Sequence, residues 1–120
     1  MTHHLRTINE VFDHHVNGLN EANMDEVAFD YAEDAFFITK DDGVIRGRQA
    51  IKTWFSGVMS GPLVGAKFDA TTLIIERDIL YLEWQATGKT HNASGVDTFL
   101  IRDGEIQAQT VKVLSLTPKS

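Results

Sequence analysis

The residue best placed for chemistry in this sequence is an aspartate inside an apolar strand. Asp97 lies in the run 95–101 (GVDTFLI), which the turn dipeptide Asp103-Gly104 soon follows. Side chains alternate between the two faces of a strand, so Asp97 shares a face with Phe99 and Ile101. A carboxylate on such a face loses hydration, which raises its pKa unless something compensates. Asp97 is therefore the strongest candidate for acid–base chemistry or ligand recognition.

The partner of Asp97 in the next strand depends on the turn at 102–104. A two-residue loop pairs Asp97 with Thr110, whereas a three-residue loop pairs it with Gln109. We favour the second register because it gathers an apolar face with a few polar groups, which is typical of a small-molecule pocket. That face would hold Asp97, Phe99, Ile101, Gln107, Gln109, Val111 and Val113. The alternative is a structural acid that only hydrogen-bonds across the strands.

His15 is the second candidate for chemistry. Helical spacing places it beside Phe12 and Val16 on the apolar side of a first helix, and it turns His14 more toward solvent. Imidazole exchanges protons near neutral pH, and a pair with Asp97 would fix its tautomer and support acid–base catalysis. The alternative is a core histidine without a catalytic role.

Other chemistries find little support in the sequence. The absence of cysteine excludes thiol nucleophiles and Cys-based zinc sites. The histidines at 3/4 and 14/15 are sequence neighbours that point about 100° apart on a helix, so they do not form a convincing metal site. Serines without an elbow motif and scattered glycines give no triad and no phosphate loop. We expect neither a metal nor an organic cofactor.

The composition is that of one globular domain spanning residues 1–120. Hydrophobic residues make up 42% and charged residues 23% of the chain. A net charge of −6 without a Lys/Arg cluster argues against nucleic acid. The chain shows no hydrophobic signal core and no apolar stretch near the ~18 residues of a membrane span. We therefore expect a cytoplasmic protein that binds neither nucleic acid nor membrane.

Apolar periodicity predicts helices in the first half of the chain and strands in the second. Helices are predicted at about 4–20, from an Asn23 N-cap to about 31, and at 47–58. Strands are predicted at 35–39, 63–77, 79–88, 92–102 and 105–116. Helices followed by an antiparallel meander are typical of an α+β fold with helices on one face of a curved sheet.

Several segments in this order resemble a known superfamily. They are 16–20 (VNGLN), 24–27 (MDEV), 31–35 (YAEDA), 47–51 (GRQAI), 95–99 (GVDTF) and 102–106 (RDGEI). Together they resemble the nuclear transport factor 2-like superfamily, which includes ketosteroid isomerase and the SnoaL-like polyketide cyclases. The resemblance implies a cystatin-like conical barrel, in which N-terminal helices pack in a curved antiparallel sheet around a deep apolar pocket. It also implies a homodimer through the outer face of the sheet. In this sequence a semi-apolar outer face of Thr98, Leu100, Ile106, Ala108 and Thr110 would suit such a dimer, although each of these residues also fits a monomer.

The resemblance assigns roles to individual residues. Asp97 matches the acid that stays protonated in ketosteroid isomerase and donates to the developing enolate. His15 matches the oxyanion-hole tyrosine of that enzyme, and Thr39 matches its general-base aspartate. Because threonine is no base, steroid isomerisation is not expected. The SnoaL-like cyclases carry acid–base residues on the last two strands, where this chain has Asp97, Gln109 and Val111.

The sequence thus predicts a small enzyme of isomerase, cyclase or hydratase/lyase type, acting on a compact apolar carbonyl compound. Asp97 and His15 are the candidate catalytic residues. The candidate substrate-binding residues are Gln109, Trp54, Trp84, Phe99, Tyr31, Thr39 and Val111. The alternative is a non-catalytic small-molecule-binding or dimerisation module, which the missing base at Thr39 and the amide at Gln109 would suit.

Overall fold

The computed structural model describes residues 6–119 and has three helices and six strands in that range. The helices are α1 (Ile8–Asn20), α2 (Met24–Phe29) and α3 (Arg48–Ser60). The strands are β1 (Tyr31–Thr39), β2 (Gly43–Arg46), β3 (Lys67–Glu76), β4 (Ile79–Thr87), β5 (His91–Arg102) and β6 (Glu105–Pro118). They form one curved sheet in the order β2-β1-β6-β5-β4-β3. The predicted α+β fold is confirmed, although the β1–β6 pairing is parallel in the otherwise antiparallel sheet.

Side-chain caps determine where the first two helices begin. Thr7 and Glu10 form a reciprocal capping box at the start of α1, so the helix begins at Ile8 rather than at about residue 4. Residues 4 and 5 of the predicted helix lie outside the described residues. The predicted cap of α2 is confirmed, because the Asn23 side chain accepts a hydrogen bond from the Glu26 backbone N–H.

The first two strands depart from the sequence prediction. β1 begins at Tyr31 instead of 35, so α2 ends two residues earlier than predicted. β2 was not predicted at all, and it pairs with β1 across the turn before Gly43. Glu33 and Asp34 are both exposed and interrupt the burial alternation of β1, which hides the start of the strand from a period-two pattern.

The β5–β6 hairpin has the two-residue loop, so the favoured three-residue loop is wrong. Arg102 pairs with Glu105, and the two turn residues Asp103 and Gly104 have positive φ angles of 56° and 73°. A β-bulge follows at once, because Ile101 pairs with Ile106 whereas Leu100 pairs with Ala108. The bulge shifts the pairs from Leu100 to Gly95 by one residue relative to the turn.

This bulge sets the environment of Asp97. Its partner in β6 is Val111, so both predicted partners, Gln109 and Thr110, are wrong as register positions. The shift nevertheless returns Gln109 and Val111 to the inner face that Asp97 occupies. Ile106 lies before the bulge, opposite Ile101, and is fully buried on the inner face, which corrects its assignment to the outer face.

Helices α1 and α3 pack against the inner face of the sheet and close the hydrophobic core. The helices contribute Val11, Phe12, Leu19, Ile51, Phe55 and Met59, and the strands contribute Phe37, Leu80, Leu82, Trp84, Phe99, Ile101 and Ile106. No helix within residues 6–119 is long and apolar enough to cross a membrane.

Candidate active site

An apolar cavity of about 170 Å³ lies between α1, α3 and the inner face of the sheet. Six predicted site residues line it: His15, Trp54, Trp84, Asp97, Phe99 and Val111. Most of the remaining wall is aliphatic or aromatic, including Phe12, Leu19, Phe55, Met59, Phe68 and Leu82. An apolar cavity of roughly 150 Å³ can hold benzene. The cavity therefore suits a compound of about one ring.

Asp97 is held at the cavity wall by two donors. Trp84 Nε1 donates to Asp97 Oδ1 at 2.8 Å, and Gln109 Nε2 donates to Oδ2 at 2.9 Å. Its side chain is only 7% exposed, and burial raises the pKa of Asp97 to about 6, against the smaller opposite effect of the two hydrogen bonds. A carboxyl group with this pKa can both accept and release a proton near neutral pH.

Gln109 and Tyr31 stand behind Asp97 rather than in the cavity wall. The Tyr31 hydroxyl donates to Gln109 Oε1, and the two side chains are 0% and 2% exposed respectively. Burial raises the pKa of Tyr31 well above its ordinary value, so the hydroxyl stays neutral. Of the predicted substrate-binding residues, these two are placed to orient Asp97.

His15 is buried in aromatic surroundings. Its ring packs edge-on against Tyr31, Phe55 and Phe99 with centroid distances between 5.6 and 5.9 Å. Burial lowers the pKa of His15 to about 4, with a smaller contribution from the neighbouring His14, so the ring is neutral at pH 7. Within the described residues its Nδ1 atom is buried without a hydrogen-bond partner.

The predicted hydrogen-bonded pair between His15 and Asp97 does not form. Each carboxylate oxygen of Asp97 is bonded to Trp84 or Gln109, and no hydrogen bond between His15 and Asp97 occurs in the described part of the chain. Both side chains nevertheless line the same cavity. A ligand in the cavity can therefore contact both groups at once.

Thr39 lies beside a second cavity of about 190 Å³, next to the turn that follows β1. Its Oγ1 accepts a hydrogen bond from the Asp42 backbone N–H at 2.9 Å. Asp42 in turn accepts from Trp54 Nε1 at 2.8 Å, so this carboxylate contacts the rim of the indole and does not line the apolar cavity. A second carboxylate at the cavity, that of Asp69 of β3, belongs to an exposed residue that no sequence pattern singled out.

A charged cluster around His14 lies apart from the cavity, and the side chain of His14 is more exposed than that of His15, as predicted. His14 contacts the buried carboxylate of Asp30 through Nδ1 and Glu26 through Nε2, each at 2.8 Å. Arg6 also donates to Asp30 and to the carbonyl of Gly104, both at 2.8 Å. The cluster connects the start of α1 with the β5–β6 turn.

Within residues 6–119 no group of three or more acidic, histidine or cysteine side chains is arranged to hold a metal ion.

Comparison with known proteins identifies the family of this chain and solved structures that share its fold. The model of the SnoaL-like domain matches residues 12–109, which is most of the chain. No curated protein matches the sequence.

Solved structures share the fold at low sequence identity. One is the epoxide hydrolase/cyclase-like enzyme SalBIII, which has a role in pyran ring formation in the polyether salinomycin. Its TM-score is 0.79, with 17% identity over 92% of this chain and 95% of its own. A ketosteroid isomerase candidate from Kribbella flavida has a TM-score of 0.73 and 17% identity, over 88% and 76% respectively. An NTF2-like protein of unknown function from Cytophaga hutchinsonii has a TM-score of 0.70 and 19% identity, over 89% of each chain.

At these identities the solved structures show the fold and leave the activity open. The family model covers both the helix that carries His15 and the strands that carry Asp97 and Gln109. The chain therefore belongs to the SnoaL-like domain family.

Proposed function

We propose that this protein is a cofactor-independent enzyme that moves a proton on a compact apolar carbonyl compound, as isomerases, cyclases and hydratase/lyases do. The observation that carries the proposal is the buried Asp97 carboxylate on the wall of an otherwise apolar cavity, held by two hydrogen-bond donors. Its nearly neutral pKa matches the requirement of a general base that must later return the proton.

The hydrogen bonds favour Asp97 as a base over the role that the resemblance implies. An indole N–H can only donate, and Gln109 presents its amide N–H to the other oxygen, so both oxygens of Asp97 accept. Donors aimed at both oxygens stabilise the carboxylate. In the proposed reaction Asp97 removes a proton from the carbon next to the carbonyl group, and the electron pair moves to the carbonyl oxygen.

His15 would bind that oxygen. A neutral imidazole can donate from one ring nitrogen, and the buried Nδ1 of His15 has no hydrogen-bond partner within the described residues. A hydrogen bond from this ring would stabilise the negative charge that develops on the oxygen. Asp97 then gives its proton back. In an isomerisation the proton goes to another carbon of the enolate system as the double bond moves. In a cyclisation the enolate carbon bonds to a second carbonyl carbon of the substrate, and the proton goes to the alkoxide oxygen that this step forms.

The volume of the cavity supports a substrate smaller than a steroid. Pockets for drug-sized ligands usually measure about 300–1,000 Å³, whereas this cavity measures about 170 Å³. Trp54, Trp84, Phe99 and Val111 would hold the apolar body of the substrate. Thr39, which lies outside this cavity, would act only on a group that extends past Trp54.

The test uses a β,γ-unsaturated cyclohexenone, whose isomerisation to the conjugated ketone can be followed by ultraviolet absorbance. We expect the protein to accelerate the reaction over buffer, and Asp97→Asn to lower the rate by about 10²-fold or more. Asp69→Asn is the matched control, because Asp69 is an exposed carboxylate at the rim of the same cavity. Equal rates for Asp97→Asn and the unchanged protein would refute the role of Asp97.

A second function, a non-catalytic binder of small apolar molecules, is supported by one observation. Both oxygens of Asp97 already accept a hydrogen bond from the protein, as they would in a purely structural acid. Titration of cyclohexenone by NMR separates the two functions. A binder would bind the ketone without turning it over, and Asp97→Asn would leave most of its affinity intact.

We also propose that a second copy of this chain covers the outer face of the sheet. Two largely apolar rows of cross-strand neighbours cross this face. One consists of Ile38, Thr110, Thr98, Tyr81 and Ile74, and the next of Phe36, Ala108, Leu100 and Ile79. Ile74 is 57% exposed and Ile79 is 41% exposed, which is costly in water and favours association.

A further inference from the structure

We propose that Tyr31 is a positioning residue, which acts through Gln109 to keep a hydrogen-bond donor on Asp97 and thereby sets the proton affinity of that carboxylate. The inference rests on the proposed role of Asp97 as the proton-transfer group. It concerns a side chain that does not line the apolar cavity.

Three buried side chains form a directed chain of hydrogen bonds. The Tyr31 hydroxyl donates to Gln109 Oε1, and Gln109 Nε2 donates to Asp97 Oδ2 at 2.9 Å. Tyr31 opens β1, whereas Gln109 lies on β6 and Asp97 on β5. These hydrogen bonds thus connect β1 with the β5–β6 hairpin, which is remote from it in sequence, and all three side chains are almost completely shielded from solvent.

The direction of this chain depends on the two ends of the glutamine amide. One end can only accept and the other can only donate, so a hydroxyl that donates to Oε1 leaves Nε2 for Asp97. If the amide were reversed, Oε1 would face Asp97, and the pair would be bonded only when Asp97 carries a proton. Tyr31 could then accept from Nε2, but its own proton would lose its acceptor, because Gln109 is its hydrogen-bond partner among the described residues.

Tyr31 therefore disfavours the reversed amide, and with it the protonated form of Asp97. The same hydroxyl also polarises the amide and strengthens the hydrogen bond that Gln109 Nε2 donates to Asp97. The coupling between the two groups acts in both directions. Burial is the main cause of the raised pKa of Tyr31, and the negative charge of Asp97 raises it further. A phenylalanine at this position keeps the ring and removes both effects.

The test measures the pKa of Asp97 by carboxyl ¹³C NMR without any substrate. We expect Tyr31→Phe to raise this pKa by about one pH unit, the effect of losing part of a charged hydrogen bond. Tyr81→Phe is the matched control, because Tyr81 donates its hydroxyl to Glu83 on the sheet surface instead. This control should leave the pKa of Asp97 unchanged.

A double-mutant cycle shows whether Tyr31 acts through the glutamine. In the Gln109→Ala background, Tyr31→Phe should no longer change the pKa of Asp97. An equal shift in both backgrounds, or no shift in the unchanged background, would overturn the inference. If Tyr31→Phe does not fold, the side-chain NH₂ signals of Gln109 in the unchanged protein decide instead. They must titrate with the midpoint of Asp97, and pH-independent signals would overturn the inference.

These readouts are independent of the proposed reaction. A protein that turns over no ketone but shows the Tyr31→Phe shift would refute the proposed function and support the positioning role. Where turnover is measurable, the low-pH limb of the rate profile should move upward with the pKa of Asp97. If Tyr31 served only the stability of the core, Tyr31→Phe would lower the melting temperature and leave the low-pH limb in place.

Discussion

Trp84 and Gly95 are cross-strand neighbours on β4 and β5, and the indole of Trp84 lies where a side chain at position 95 would begin. A Cβ atom on Gly95 would come within 2.7 Å of Trp84 Cε2 and within 2.8 Å of the carbonyl oxygen of Lys112. The absence of a side chain lets the indole lie flat on the sheet. The Nε1 atom of Trp84 then reaches Asp97, which lies two residues after Gly95 on β5.

Gly95→Ala should therefore disturb the site as well as the fold. Overpacking of this kind typically costs about 1–3 kcal/mol, so we expect the free energy of unfolding in urea to fall by that amount. A displaced Trp84 would also release Asp97 from a hydrogen bond that lowers its pKa, and this pKa should rise further. Gly57→Ala is the control, since nothing lies within 4 Å of its new Cβ on α3 and the helix should gain about 0.5–1 kcal/mol. Equal stability of Gly95→Ala and the unchanged protein would contradict the described packing.

Asp97→Asn should change how stability depends on pH. The pKa of Asp97 is about 6 in the folded protein and 3.8 in the unfolded chain. The folded state thus holds a proton that the unfolded state releases. The contribution of Asp97 to the free energy of unfolding is therefore fully present below about pH 4 and is lost as pH rises through 6. The loss is on the order of 3 kcal/mol. Urea unfolding between pH 4 and 7 measures the free energy of unfolding of both proteins. The unchanged protein should lose this stability relative to Asp97→Asn as pH rises, and parallel pH profiles of the two proteins would contradict the prediction.

His15→Phe should tilt the same profile in the opposite direction. The pKa of His15 falls from 6.5 in the unfolded chain to about 4 on folding. The unfolded state therefore binds the extra proton. The contribution of His15 to the free energy of unfolding is present above pH 6.5 and is lost as pH falls toward 4, again by about 3 kcal/mol. Phenylalanine keeps the ring contacts with Tyr31, Phe55 and Phe99 and removes the titration.

In the unchanged protein the contributions of Asp97 and His15 largely cancel between pH 4 and 6. Asp97→Asn should leave a stability that rises with pH over this range, and His15→Phe one that falls. Slopes of the same sign in the two variants would contradict the opposite burial effects on the two groups.

Local sequence patterns predicted most elements of the fold, because each helix has an apolar face and most strands alternate. They missed β2, because it is a four-residue edge strand without a buried residue. They missed the start of β1, because Tyr31 pairs with Ile106, far along the chain. The parallel contact of β1 with β6 has no local signal. The turn residues Asp103 and Gly104 were identified, but the favoured three-residue loop was wrong. No local turn rule contains the bulge between Ile106 and Ala108, which brings Gln109 and Val111 to the inner face.

The candidate site was predictable where burial conflicts with polarity. Asp97 and His15 stood out because each is a polar residue among apolar neighbours at strand or helix spacing. The sequence could not show that Trp84 is a donor to Asp97, because the direction of an indole N–H depends on the rotamer that Gly95 permits. Nor could it show that Tyr31 lies behind Gln109, since that contact joins residues 78 positions apart.

The proposed second copy on the outer face gives the last prediction. Thr98 lies in the middle of the first apolar row, between Thr110 and Tyr81. A lysine there would bring a charge into the centre of the contact from each copy, and like charges in a desolvated interface cost several kcal/mol. We expect a dimer for the unchanged protein and a monomer for Thr98→Lys in sedimentation equilibrium. Thr53→Lys, on the exposed side of α3, adds the same charge away from the sheet and should stay dimeric. A monomeric unchanged protein at all concentrations would refute the second copy.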